Sequence, residues 1–274
     1  MGCKCCIPAS LNLPPEYFHP KLPAGIVQIT EKSLPRMVKE FEEVVALSFC
    51  GTTSAPPEPL HQWFLEPNQE GSNPAAPLSE APSKKRLLFF HSMGKFYRLQ
   101  AMRHGGCFAL QSSEGKIVAA ASIFPPTEKK IYHPGMCEQL YIVNQMGGMS
   151  ELPQEMKKNP SYGKIDLVDK LFTKGHAASI KVKHLYVFMV AVSPYEQGKG
   201  YGKRMMQFLN ESADYLGVPS YLETASKRTE AFFGKSGYNV KFRYKADYNG
   251  DVCRPDGREE AVICMVRPVA GGKA

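Results

Sequence analysis

The amino-acid sequence predicts an α/β fold in one large domain. The chain has 274 residues, of which 43% are hydrophobic and 22% charged, values typical of a globular protein with a sizeable core. Segments with helical periodicity alternate with apolar runs of strand length, and one buried strand is followed by a glycine loop and a helix. This composition excludes a wholly disordered or collagen-like chain.

The first residues have the composition of a lipid anchor. Removal of the initiator methionine would expose Gly2, the acceptor for N-myristoylation, although the sixth residue is cysteine where the usual pattern has Ser or Thr. The candidate palmitoyl acceptors are Cys3, Cys5 and Cys6. Because two lipid signals hold a protein to a bilayer far better than one, we expect residues 1–24 to attach the protein to the cytoplasmic side of a membrane. A metal-binding or redox Cys3/Cys6 pair and an unmodified tail on a cytoplasmic protein are the alternatives.

The first third of the chain predicts a strand, a helix and a loop. An Ile-Val-Gln-Ile strand starts at residue 26, and apolar residues at three- and four-residue spacings up to Phe49 predict an amphipathic helix behind it. Seven prolines lie between Gly51 and Ser83, so regular structure cannot extend through this segment. We therefore expect residues 66–83 to form a flexible loop.

A second helix and a hairpin come next. The helical pattern of residues 85–104 ends at Gly105-Gly106, where we expect a helix C-cap. Two apolar runs, 107–111 and 116–124, flank Ser-Ser-Glu-Gly and predict a β-hairpin. Residues 131–180 form a polar insert in which only a helix near 167–176 is recognisable.

The segment from residue 184 to residue 216 combines a strand, a glycine loop and a helix. Its first nine residues are continuously apolar and rich in β-branched side chains, which predicts a strand buried on both faces. The glycines that follow are Gly198, Gly200 and Gly202. Glycines let backbone N–H groups approach a phosphate, and a helix N-terminus favours an anion. The spacing fits neither the Walker loop nor the Rossmann fingerprint, and a tight turn without a ligand is the alternative.

A longer pattern surrounds these glycines. Val-x-Pro-x-x-Gln-x-x-Gly-x-Gly directly follows the predicted strand, from Val192 to Gly202. This pattern resembles the acyl-CoA pyrophosphate loop of the GNAT N-acetyltransferases, and residues 221–238 are similar to the next strand, helix and Gly-aromatic step of that family. Leu-Glu-Thr at 222–224, Phe-Pro-Pro at 124–126 and the long insert resemble the branch that includes the puromycin acetyltransferases. The likeness covers residues 25–268 and is specific from 184 to 238.

The resemblance implies a mixed, mostly antiparallel central β-sheet, flanked by helices and splayed at the acyl-CoA site. It implies one acetyltransferase domain over residues 25–268, between an N-terminal tail and a C-terminal tail of residues 269–274. The implied reaction is direct attack of a neutral primary amine, on a small molecule or a protein, on the thioester of acetyl-CoA. No metal is implied.

The family pattern also assigns contacts with the co-substrate. Backbone groups of Val190, Ala191 and Val192 would line the pantetheine arm. The residues expected to hold the pyrophosphate are Gln197, Gly198, Lys199, Gly200, Tyr201, Gly202 and Lys203. Ser226 falls where a side chain contacts the cofactor in the family, and Phe233 falls beside the position of the leaving thiolate.

Two residues bear on catalysis. Glu223 ends a predicted buried strand beside the cofactor cleft, where burial would raise the pKa of its carboxyl, so it is the candidate base or substrate anchor, unless it only caps or pairs structurally. Phe233 replaces the tyrosine that protonates the thiolate in many family members, and phenylalanine has no proton to give. Either water protonates the thiolate, or the protein is a membrane-anchored, non-catalytic acyl-CoA-binding module.

The positive charge is concentrated around the glycine loop. Residues 181–245 hold eleven Lys and Arg against five Asp and Glu, within a chain of formal net charge +8. No nucleic-acid-binding motif accompanies this charge, so we expect no nucleic-acid partner. The phosphates of acyl-CoA and anionic lipid are suitable partners, and a solvated surface is the alternative.

Overall fold

The computed structural model describes residues 11, 13–55, 60, 78–79, 81–126, 136–147, 161–245 and 260–271. The helices among these residues are α1 (Pro15–Phe18), α2 (Pro35–Cys50), α3 (Lys84–His104), α4 (Met136–Gln145), α5 (Ser161–Ser179), α6 (Tyr201–Tyr215) and α7 (Lys227–Gly234). The strands are β1 (Ile26–Ile29), β2 (Gly106–Gln111), β3 (Ile117–Phe124), β4 (Leu185–Val192), β5 (Ser220–Thr224), β6 (Asn239–Lys245) and β7 (Glu260–Arg267).

The seven described strands form one sheet in the order β1-β2-β3-β4-β5-β7-β6. All neighbouring strands are antiparallel except β4 and β5, which are parallel and are connected through α6. The predicted mixed, mostly antiparallel sheet is therefore confirmed. The sequence analysis did not predict β7, which lies between β5 and β6 and is buried from Val262 to Val266.

Helices cover both faces of the sheet. Apolar side chains of α2, α3 and α5 pack on one face, where Phe41 and Phe90 are fully buried. Helices α1, α6 and α7 pack on the other face, where α6 buries Phe208 and Leu209 along the apolar stripe that its sequence predicts. Between α2 and α3, Arg98 donates from Nε to Glu42 Oε1 at 2.8 Å. The sheet thus separates two cores, and a ligand can pass from one to the other only through a gap between strands.

The end of α3 differs from the predicted C-cap. The N–H of Gly105 donates to Ala101 O as in a cap, but its φ of −148° is extended rather than left-handed. A Cβ atom on Gly105 would lie 1.9 Å from Ile123 O. The glycine is therefore required because the backbone passes very close to β3.

The insert contains more helix than the sequence indicated. The helix expected near residues 167–176 is the C-terminal part of α5, and α4 was not predicted. Glu138 joins α4 to α3, because its carboxylate contacts Arg103 Nε at 3.2 Å and also the buried ring of His104. These contacts place α4 beside the face of the sheet that carries α2 and α3.

Two predictions fall outside the described residues. They are the lipid acceptors Gly2, Cys3, Cys5 and Cys6, and most of the loop at 66–83. Both stay predictions. No described helix combines the length and the apolar character required to span a bilayer.

Candidate active site

A cleft opens where β4 and β5 separate. The two strands are paired only at Leu185 with Ser220 and at Tyr186 with Tyr221. Beyond this point β4 continues along β3 as far as Val192, whereas β5 continues along β7 as far as Thr224. The facing edges of the two strands therefore diverge, and a gap crosses the sheet from one core to the other.

A β-bulge in β4 lies beside this gap. The pairing with β3 passes from Met189 opposite Ser122 to Val187 opposite Ile123, which leaves Phe188 without a residue opposite it. A bulge bends the strand that carries it and changes the direction of the side chains that follow. As a result Val187 and Val190 belong to the α6 side, and Met189 belongs to the α2 side.

The cleft has a volume of about 160 Å³ and is lined from both faces. From the α2, α3 and α5 side it is lined by apolar and aromatic residues, namely Phe49, Leu60, Met93, Tyr97, Phe172 and Phe188. From the side of α7 and the end of β5 it is lined by Leu222, Thr224, Thr229 and Phe233. Glu223 is the acidic residue between the two groups.

Glu223 carries a buried carboxyl group. The residue as a whole is half-buried, but its Oε1 atom is fully buried and has no hydrogen-bond partner among the described residues. Burial raises the pKa of this carboxyl to about 7, an effect that the nearby hydroxyls of Tyr221 and Tyr186 partly oppose. A carboxyl group with this pKa is half ionised near neutral pH and is suited to accept a proton there.

Glu223 neither caps a helix nor forms an ion pair in the described part of the chain, and its polar neighbours are the hydroxyls of Tyr221 and Tyr186. The N-cap of α7 is Ser226, which accepts a hydrogen bond from the N–H of Thr229 at 3.2 Å. No basic side chain among the described residues forms an ion pair with Glu223, and none contributes to its pKa. A carboxyl group buried without a cation or a cap to hold is typical of a functional site.

The glycine loop begins after a short 3₁₀ turn, Pro194–Glu196, and leads into α6. Gly198 and Gly200 have φ of 80° and 86°, left-handed values that favour glycine. The backbone N–H groups of residues 197–203 have no acceptor within the described structure. Together with the N-terminus of the 15-residue helix α6, they form an array of donors that fits a phosphate group.

Two side chains of this loop already form hydrogen bonds within the described part of the protein, whereas its backbone N–H groups do not. Lys199 Nζ donates to Glu196 Oε2 at 2.9 Å, so part of its charge is already balanced. Gln197 Nε2 donates back to Val192 O at 3.4 Å, which links the loop to the end of β4. A Cβ atom at Gly202 would lie 3.2 Å from the ring of Phe232, so glycine lets α6 approach α7.

The other predicted contact residues lie around the gap in different ways. Val190 and Val192 are half-buried on the α6 side, and Ala191 is buried on the opposite side, so its side chain faces away from α6. Ser226 has a structural role as the cap of α7, and its hydroxyl lies 2.7 Å from Thr229 Oγ1. Phe233, which is 9% exposed, lines the cleft.

Sequence reasoning missed the cleft residues on α2, α3 and α5. Phe49, Tyr97 and Phe172 occupy apolar positions of helices, where the pattern does not distinguish a ligand-facing ring from a core ring. It also missed Thr229, whose hydroxyl contacts that of Thr224 at the edge of the cleft. His176 of α5 lies behind this region, where its ring stacks on that of Tyr221 with centroids 4.2 Å apart.

Residues 162–238 match the model of the acetyltransferase (GNAT) family. Over this segment the chain is similar to the GNAT acetyltransferases. The matched segment starts in α5 and includes β4, the glycine loop, α6, β5 and α7, that is, the elements that surround the cleft. GNAT enzymes transfer an acetyl group and use acetyl-CoA as co-substrate. No cluster of His, Cys, Asp or Glu suited to a metal ion occurs within the described ranges.

The chain is also similar to several solved structures at low sequence identity. A polyamine N-acetyltransferase from Drosophila melanogaster is 18% identical with a TM-score of 0.47, over 89% of this chain and 100% of that chain. Arylalkylamine N-acetyltransferase 2 from Aedes aegypti is 16% identical with a TM-score of 0.48, over 89% and 99%. Nourseothricin acetyltransferase is 14% identical with a TM-score of 0.32. The match covers 60% of this chain and 64% of that chain, which is less than two thirds of its length. The narrower likeness to puromycin acetyltransferases stays a prediction.

Proposed function

We propose that this GNAT domain acetylates a primary amine with acetyl-CoA, by direct attack of the amine on the thioester. The observation that carries the proposal is the buried carboxyl of Glu223, which lies without a cation partner in the described structure at the gap between β4 and β5. The glycine loop, with its array of N–H donors, follows the end of β4. A proton acceptor and an anion site thus lie at the same divergent pair of strands.

The co-substrate would bind from the α6 side. Its pyrophosphate fits the N–H groups of residues 197–203, and exposed Lys203 adds a positive charge next to them. The amide groups of the pantetheine arm can hydrogen-bond the backbone of residues 190–192, on the edge of β4 that β5 leaves open. The thioester would then reach the cleft near Phe233.

Glu223 would act as the general base. An alkylamine arrives protonated, and the ionised carboxylate of Glu223 accepts one of its protons, which frees the nitrogen lone pair. The nitrogen bonds to the thioester carbonyl carbon and the carbon–sulfur bond breaks, giving the amide and a thiolate. The second proton of the nitrogen passes, through water, to the thiolate.

Phe233 has no proton to donate in this step. A thiol with a pKa of about 8.5 is a good leaving group at neutral pH, because its thiolate is stable enough to depart before it is protonated. Thr224 and Thr229 line the same cleft with their hydroxyl groups in contact, and they can hold a water molecule there. Loss of the tyrosine is therefore compatible with turnover.

The second candidate is a non-catalytic acyl-CoA-binding module, and Phe233 is the observation that favours it. The test is to incubate the purified protein with acetyl-CoA and a set of primary amines and to measure the release of free CoA. We expect release that depends on the amine and yields its N-acetyl derivative. Tight binding of CoA without turnover on any amine would instead support the binding module.

A further inference from the structure

The two sides of the cleft differ in chemistry. On the α2, α3 and α5 side, the described lining residues are apolar apart from the phenol of Tyr97. Its aromatic members are all half-buried, in contrast to the fully buried Phe41 and Phe90 of the same core; they are Phe49, Tyr97, Phe172 and Phe188. Four aromatic rings therefore leave part of their surface toward the cleft, around a single carboxylate.

We propose that the amine acceptor is a small primary monoamine with an aromatic body, which enters from this side. The proposal rests on the function proposed above, since it assigns the acceptor of that same site. The amine would be placed by Glu223, and its ring would lie among the rings of Tyr97, Phe172 and Phe188. Polyamines, amino acids and protein N-termini are poor acceptors in this arrangement.

The size of the cleft limits the acceptor. A volume of about 160 Å³ is close to that of an apolar cavity of about 150 Å³ known to hold one benzene molecule. The cleft is partly open, so its enclosed space fits the ring of the acceptor, while the short alkyl chain and the acetyl thioester lie in the gap between the strands. A peptide chain needs a longer open groove than this volume provides.

The charges of the lining select for a single positive group. Glu223 is the one acidic residue among the described residues that line the cleft. The distal ammonium group of a diamine would therefore enter a region with no second carboxylate, where the phenol of Tyr97 and the ring faces compensate only part of its lost hydration. The carboxylate of an amino acid would lie next to Glu223 and repel it.

The geometry of the rings suits an aromatic guest. Tyr97 and Phe188 are arranged edge to face, with centroids 5.0 Å apart and planes at 87°. Phe188 makes the same kind of contact with Phe124 at 5.3 Å and 66°. Another ring can join such a cluster by the same edge-to-face contact. The bulge in β4 contributes directly, because Phe188 is the bulged residue and has no pairing partner on β3.

The test compares wild-type kcat/KM for 2-phenylethylamine, 1,4-diaminobutane and a tetrapeptide with a free N-terminus, all with acetyl-CoA. We expect 2-phenylethylamine to be preferred at least 100-fold, roughly what rejection of an unpaired buried charge supplies. Phe172→Glu, on a half-buried position, places a second carboxylate on the aromatic side. It should lower the value for 2-phenylethylamine at least tenfold and raise that for the diamine. Phe172→Leu is the matched control and should not raise activity on the diamine.

The outcomes separate this proposal from the proposed function. Turnover of the diamine or the peptide at rates equal to or above those of 2-phenylethylamine would overturn the acceptor class and leave acetyl transfer intact. CoA binding without turnover on the three amines would overturn the acceptor class, and the same result on the whole set of primary amines would overturn the acetyl transfer as well. Binding of CoA by Phe172→Glu, measured by calorimetry, shows that this variant is folded.

Discussion

Glu223→Gln separates the chemical role of the carboxyl from its shape. Glutamine has nearly the same size but accepts no proton, so we expect kcat to fall about 100-fold while CoA still binds. In the wild type, the base must be ionised, so kcat/KM should rise with pH through the pKa of about 7 and level off above it. In the variant, this rising limb should disappear. The assay is CoA release at saturating acetyl-CoA between pH 5 and pH 9.

The same substitution has a consequence for stability that can be worked out from the pKa. Burial raises the folded-state pKa of Glu223 from 4.5 to about 7, so the folded protein binds this proton more tightly than the unfolded chain. The resulting stabilisation is full below pH 4.5 and is lost as the pH rises through 7. The difference corresponds to about 3 kcal/mol at pH 8. Relative to the wild type, Glu223→Gln should therefore gain up to about 3 kcal/mol in free energy of unfolding between pH 4 and pH 8.

The control is Glu43→Gln, on the exposed face of α2. Its free energy of unfolding, measured in urea, should differ from the wild type by the same small amount at every pH. If Glu223→Gln also ran parallel to the wild type at every pH, the carboxyl would not be desolvated in the folded protein. A kcat within about threefold of the wild type would refute its role as base.

Three further substitutions test the loop, the backbone contact and the thiolate side. Gly200→Glu places a negative charge among the N–H donors, so calorimetry should show CoA affinity reduced at least about 100-fold. The control is Gly200→Asn, because asparagine tolerates the left-handed backbone, and it should bind CoA within about tenfold of the wild type. Equal CoA affinity of the Glu variant and the wild type would contradict the loop assignment. Gly105→Ala would bring Cβ to 1.9 Å from Ile123 O and should lower the free energy of unfolding by about 3 kcal/mol or more. The control is Gly234→Ala, which has open space around its Cβ and should leave the free energy of unfolding nearly unchanged in the same denaturation experiment. Phe233→Tyr should change kcat at pH 7 by less than about threefold if thiolate departure needs no side-chain acid, and an increase above tenfold would show that it does.

The cofactor side of the site could be predicted from the sequence because it is local. The strand, the left-handed glycines and the start of α6 lie within twenty residues of one another, and each has a strong conformational signal. Glu223 could be singled out for a similar reason, since an acidic residue at the end of an apolar strand is uncommon. Its raised pKa and the absence of a cation partner in the described residues could be seen only in the structure.

The acceptor side could not be predicted, because tertiary packing assembles it from distant parts of the chain. Phe49 ends α2, Tyr97 lies in the middle of α3 and Phe172 belongs to α5, and each fits an ordinary core position. The position of β7 between β5 and β6 is also non-local, because the turn signals before it, Asn249-Gly250 and Pro255-Asp256-Gly257, indicate pairing with β6 but not with β5. The extended φ of Gly105 shows a further limit, since glycine at a helix end usually signals a left-handed cap.

The short pairing between β4 and β5 has a consequence for how the protein avoids self-association. Unpaired strand edges at the outside of a sheet invite pairing with other chains, and proteins usually shorten, charge or cover them. Here β4 has an uncovered edge in the middle of the sheet, between the walls that α6, α7 and the aromatic helices provide. The walls on both sides hold this edge inside the cleft, where a thin, extended molecule with amide groups fits along it. The protein can therefore expose backbone hydrogen-bonding groups for a ligand without presenting a surface for aggregation.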